Sequence, residues 1–124
     1  MSLEADLRTY LLTQTGVTAV VGTRIHPSRL PDNPALPAVV YQRISTLHNL
    51  ASGNVPLTRA RIQLDVWADS YAEAVTGAEA LHAALDMVSA TGIHASFPED
   101  DESGYDESAL LHRRRIDMFC WKVS

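Results

Sequence analysis

Between Arg59 and Trp67 apolar and polar residues alternate without a break. Ala60, Ile62, Leu64 and Val66 take one phase, and Arg59, Arg61, Gln63, Asp65 and Trp67 take the other. A period of two is the signature of a strand with one buried and one polar face, which suits an antiparallel sheet. The segment 109–123 repeats the pattern, with Ile116, Met118 and Cys120 on the inner phase and Arg113, Arg115, Asp117, Phe119 and Trp121 on the outer. His112 and Arg114 fall on the inner phase, which predicts that the first half of this strand projects beyond the core or carries a bulge. Two long one-sided strands need a layer of apolar helices against their inner face and leave the outer face free for other uses.

The helices are legible on either side. Ser2 is a suitable N-cap, and Leu3, Leu7 and Leu11 recur every four residues, so the spacing predicts a first helix that Gly16 ends or interrupts. Val17–Val21 reads as a short apolar turn closed by Gly22. Ser70-x-x-Glu73 is a capping box, and Ala74, Ala78, Leu81, Leu85 and Val88 form the stripe of a second helix that stops near Gly92. Pro27, Pro31, Pro34 and Pro37 exclude regular structure after a short strand at Thr23–His26. Ala38–Leu47 reads as a strand, Ser52-Gly53-Asn54 as a turn and Ile93–Phe97 as a strand, with Pro98 and the acids after it as a loop. The expected fold is α+β: a mainly antiparallel sheet of four to five strands with two helices on one face. Residues 1–124 are expected to form a single domain.

Charge narrows the function. The net charge is −5, and the acids are concentrated: Glu99, Asp100, Asp101, Glu102, Asp106 and Glu107 lie in a nine-residue segment without a base. An acidic chain repels a phosphate backbone, which argues against tight general nucleic-acid binding. The triplet Arg113-Arg114-Arg115 is the one basic cluster, and strand alternation sends its members to opposite faces, where salt bridges are the expected use. The acidic run does not match a calcium loop, because Gly104 stands where an oxygen ligand is needed. His26, His48, His82, His94 and His112 are scattered without metal-ligand spacing, and the six glycines form no phosphate cradle. A lone Cys120 in a strand is a buried thiol, not a nucleophile, and fits a reducing compartment. No catalytic, cofactor-binding or metal site is expected. Without a membrane span or a secretory signal, the expectation is a soluble cytoplasmic domain.

What remains is the outer sheet face. Arg59, Arg61, Asp65, Trp67, Arg113, Arg115, Asp117, Phe119 and Trp121 share it, with Arg–Asp pairs expected across neighbouring strands at ~0.2–1 kcal/mol each. Three aromatic side chains in water call for a cover, most simply another copy of the chain.

Four segments in order, VVGTRIHP (Val20–Pro27), LPAVVYQRI (Leu36–Ile44), ARIQLDVWADSYAEA (Ala60–Ala74) and LHRRRIDMFCW (Leu111–Trp121), resemble the tail completion (tail-to-head joining, or tail terminator-like) proteins of long-tailed phages and related elements. The resemblance covers nearly the whole chain and is weakest at Glu99–Glu107. It implies a structural virion protein assembled in the bacterial cytoplasm, forming a ring, expected as a hexamer. The ring would sit at the head-proximal end of the tail, ending the tail tube and joining it to the head connector or stopper. DNA would pass through without specific binding, and no cofactor or membrane would be involved. The acids at 99–102, Asp106 and Glu107 would then face the channel or a partner. A head-closure or neck adaptor is the alternative of the same class. A small ligand-binding domain or enzyme is the alternative of another.

Overall fold

The computed structural model describes the backbone of residues 3–52, 55–85, 93–108 and 110–123. Side chains are described for these except 3, 47–52, 55–58, 93–102 and 121–123. In chain order the elements are α1 (Leu3–Leu12), α2 (Thr15–Val21), β1 (Ile25–Pro27), β2 (Ala38–Ser52), β3 (Val55–Ala68), α3 (Tyr71–Leu85), β4 (Ile93–Asp106) and β5 (Leu111–Val123). The strands form one sheet in the order β1-β2-β3-β5-β4. Every neighbouring pair is antiparallel except β1 with β2. The expected α+β class and mainly antiparallel sheet are present. The Ser52-Gly53-Asn54 turn and the stop at Gly92 fall on residues outside the described ones.

The inner phase of the two alternating strands is the core. Ala60, Ile62, Leu64, Val66, Ile116, Met118 and Cys120 are all buried, and they meet Leu7 and Leu11 of α1, Val17 and Val21 of α2, and Ala78, Leu81 and Leu85 of α3 in one cluster. Burying each large aliphatic side chain contributes about 1.5–3 kcal/mol. The helices are tied to one another by polar contacts as well: the Tyr10 hydroxyl of α1 donates to the Ala84 carbonyl of α3 at 2.6 Å. At the start of α3 the Ser70 hydroxyl accepts the Glu73 backbone N–H at 3.2 Å, the cap the sequence predicts.

Among the described residues three helices, not two, cover the sheet. Val17–Val21 is no apolar turn but the core-facing part of α2, and Gly16 lies inside that helix instead of ending the first. The first helix stops at Leu12, and Gly22 closes the second at φ 60°, where a residue without Cβ is favoured.

Two further expectations need correction. The acidic run is not a loop. Glu99, Asp100, Asp101, Glu102 and Asp106 lie within β4, and Glu107 begins the turn after it. The cause is the neighbour: β4 pairs with β5 along its backbone, and although Asp100 stands opposite Asp117, Glu102 stands opposite Arg115. Pro98 fits because β4 is an edge strand and the register shifts between Ser96 and Asp100. That shift is also where the irregularity sits, for β5 itself carries no bulge against β3: the register runs unbroken from Leu57↔Val123 to Ala68↔His112. His112 and Arg114 are accommodated on the inner phase at the rim. The His112 ring lies 4.7 Å from that of Tyr105 and 6.4 Å from that of Tyr71, and Arg114 donates to the Ser103 hydroxyl at 2.6 Å.

Gly77 marks the closest approach of helix to sheet, since a Cβ there would stand 2.6 Å from a Val66 methyl. Gly77→Val is expected to lower the unfolding free energy by about 1–3 kcal/mol through overpacking. Urea titration checks this, and an unchanged midpoint would contradict the packing described.

Candidate assembly surface

Strand pairing sets the outer sheet face. The β3–β5 register places Asp65 opposite Arg115, Gln63 opposite Asp117, Arg61 opposite Phe119 and Trp67 opposite Arg113. Arg115 Nε donates to Asp65 Oδ1 at 3.0 Å, and the Gln63 amide donates to Oδ2 of the same carboxylate at 3.3 Å. Arg61 donates to Asp117 Oδ2 at 3.1 Å, one position along the diagonal. Two further arginines lie over aromatic rings: Arg59 is 4.9 Å from the Phe119 centroid and Arg113 5.9 Å from that of Trp67. The Arg113 guanidinium also lies against Gly104 of β4, where a Cβ would come within 2.6 Å of Nη2. A side chain at 104 would therefore displace the arginine from the backbone. The expected cross-strand Arg–Asp pairs are present, and the triplet 113–115 is divided between the faces.

The face is less open than the alternation suggests. Asp65 is only 7% exposed, and Ala38 and Val40, on the same phase of β2, are buried. The cover is the proline-rich connection after β1. Ser28, Arg29 and Leu30 line a cavity of about 220 Å³ together with Val40, Asp65, Trp67, Asp106 and Leu111. On the far side of Trp67 a second cavity of about 400 Å³ is lined by Tyr105, Asp106, Glu107, Ser108 and Arg113. Asp106 accepts from both the backbone N–H and the hydroxyl of Ser108, at 3.0 and 2.8 Å, which shapes the turn into β5. Trp67 and Phe119 are thus half-buried under arginines and a loop, not laid bare. The side chains of Trp121, Glu99, Asp100, Asp101 and Glu102 lie outside the described ones. The structure joins Asp65, Trp67, Arg113 and Arg115 into one patch with Asp106 and Glu107 at its rim. Arg59, Arg61, Asp117 and Phe119 form a second patch further along the same strands.

The sequence reading missed two contributors: the loop 28–30 and Tyr105. Only the run of prolines, which forces an extended path, could have suggested the first.

Other chemistry is sparse. Among the described residues no group of three or more His, Cys, Asp and Glu could hold a metal ion. No described helix is long and apolar enough to cross a membrane. Cys120 is fully buried, and desolvation pushes its thiol from 9.0 up to about 12, opposed weakly by the charge of Arg43. Arg43, on the inner phase of β2 opposite Ile62, pairs with Glu4 of α1 and donates to the Thr46 hydroxyl at 3.1 Å.

The described residues thus form an α+β domain whose outer-face polar groups are bound to one another across strands, with two cavities beside Trp67. Among solved structures the fold is similar to a chain in a structure described as the virion of a native gene transfer agent (GTA) particle. The TM-score is 0.76 and the identity 18%, over 99% of this chain and 96% of that one. No curated protein matches the sequence. The family model described as Tail completion protein gp17 matches residues 5–121, and the chain belongs to that family of phage tail structural proteins.

Two predictions follow from the pairing. Asp65→Ala removes a buried carboxylate bonded to both Arg115 and Gln63 and should lower stability by about 1–3 kcal/mol, whereas Asp117→Ala, whose partner Arg61 is exposed, should cost less than about 1 kcal/mol. Equal losses in urea titration would contradict the difference in burial. For Cys120 the folded pKa lies above the unfolded one, so the native state gains nothing from deprotonation until pH 12. Its stabilising effect is therefore complete below pH 9.0 and is lost as pH rises toward about 12. At pH 8 the native thiol should resist a thiol reagent such as Ellman's reagent and react only on unfolding. Rapid labelling of folded protein would contradict this.

Proposed function

We propose that this chain, acting as a single domain over residues 1–124, is the subunit of a closed ring, a hexamer, at the head-proximal end of a long tail. The ring ends growth of the tail tube and joins it to the head connector. The observation that carries the reading is the family match over residues 5–121. The physical features fit. A ring needs two different patches on each subunit that meet around the circle. The outer face offers a pre-ordered patch around Trp67, with Arg113 and Arg115 already held by Gly104 and Asp65. Pre-ordering lowers the entropy lost on docking. Six copies at −5 each give about −30, so DNA moving through such a ring is repelled from its wall and passes without sticking. The protein works by contact and not by turnover, with its one cysteine held neutral in the core. Assembly takes place in the bacterial cytoplasm, and the finished location is the virion.

Two measurements test this. Immobilised chain should retain tail-tube protein and close the tube end. Retention of portal protein alone would favour a head-closure or neck adaptor instead. Trp67→Ala should keep the circular dichroism of the folded chain while weakening assembly by about 2 kcal/mol, roughly 30-fold. An unfolded spectrum would place Trp67 in the core, and unchanged assembly would remove it from the interface.

A further inference from the structure

The cavity under the proline-rich loop carries a charge that the outer-face salt bridges do not use. Leu30, Val40, Trp67 and Leu111 give it apolar walls, and the exposed Arg29 lines it beside them. Every other described arginine is engaged within the chain by a carbonyl, a carboxylate, a hydroxyl or an aromatic ring. The Arg29 guanidinium has no such partner among the described residues; only its backbone N–H is bonded, to the Pro27 carbonyl. An apolar cavity of ~150 Å³ already admits a benzene ring, so the 220 Å³ beside Arg29 has room for one aromatic side chain.

The matching chemistry lies on the other face of the same chain. Tyr71, at the start of α3, is 56% exposed. Asp69 and Glu73 flank it, both exposed, and neither carboxylate is bonded among the described residues. The other exposed large apolar side chains do not share this setting. Tyr105 lines an outer-face cavity and Leu110 adjoins one, while Ile44 lies in a stretch from Asn33 to Leu64 that holds no acid.

Position in the fold brings the two patches to one level. Trp67 stands opposite Arg113, and Ala68 stands opposite His112. The His112 ring lies 6.4 Å from the Tyr71 ring on the inner side, where α3 packs on the sheet, and Trp67 faces the cavity on the outer side. Both patches therefore sit at the same end of the strands and on opposite faces of the sheet. A rotation about an axis along the strands joins two such patches without a rise, which a closed ring requires and an open helix does not.

Resting on the ring reading, we infer that the contact between neighbours is helix layer to sheet face: Tyr71 of one copy enters the cavity between Leu30 and Trp67 of the next. Arg29 of the receiving copy then pairs with Asp69 and Glu73 of the entering one. The occupant of the cavity is a second copy of this chain. The contact is heterologous, because each copy gives Tyr71 on one side and receives it on the other.

Charge reversal tests the pairing. Arg29→Glu, Asp69→Lys with Glu73→Lys, and all three changes together are made in the full chain, and circular dichroism confirms that each variant folds. Titration onto tail tubes, read by electron microscopy, gives the concentration at which half of the tube ends carry rings. Either reversal alone should raise it by about tenfold or more, and the three changes together should return it to within a few-fold of the original. Unchanged assembly with the single reversals, or no recovery with all three, would overturn the contact and leave the ring standing. Ser28→Cys and Ala72→Cys keep the charges and give a second readout. Copies of the two, mixed on tail tubes and treated with a short bismaleimide, should be joined to each other, since Cys120 is buried. Links from position 28 to tail-tube protein alone would overturn the second copy as occupant. An unaltered chain that forms no ring on tubes would overturn the ring reading and this contact with it.

Discussion

The unbroken antiparallel ladder between β3 and β5, from Leu57↔Val123 to Ala68↔His112, is the constraint on which the rest depends. Because side chains alternate along a strand, one register decides both faces at once. It sets Ala60, Ile62, Leu64 and Val66 beside Cys120, Met118, Ile116 and Arg114 under the helices. The same register puts Asp65 on Arg115 and Arg61 beside Asp117 on the other face. A slip of one residue would send the arginines into the core and the leucine and isoleucines into water. The hydrophobic layer, the salt bridges and the arginine–aromatic contacts are thus consequences of one pairing.

The same ladder explains the acidic segment. Taken alone, six acids in nine residues repel one another and have little tendency to form a strand. Next to β5 they gain the backbone pairing of an edge strand, and Glu102 gains Arg115 across the ladder. β4 is then the edge strand of the sheet, with Gly104 leaving room for the Arg113 guanidinium beside Trp67. A segment that would otherwise be solvent-borne becomes a defined charged edge on a subunit whose family builds phage tails.

Much of this was legible in advance, because strict alternation and capping chemistry are local signals. Arg59–Trp67 and Ile116–Cys120 declared their faces, Ser70 declared the start of α3, and the outward phase of Asp65 and Arg115 implied their bridge. What escaped depended on tertiary context. Val17 and Val21 look like a turn until α3 provides a surface to bury them as α2. The strand nature of β4 depends on a neighbour that follows it in sequence. The cover over Val40 and Asp65 depends on where a proline-rich loop crosses the sheet, which no periodicity records.

The central claim is that this fold is a subunit shaped for contact with copies of itself at the end of a tube. Electron cryomicroscopy of tail tubes incubated with the purified chain addresses it directly. The account predicts a single closed ring of this fold on one end of each tube, with neighbouring subunits related by rotation about the tube axis. Tubes with bare ends, or subunits bound as isolated two-fold dimers along the tube wall, would contradict it.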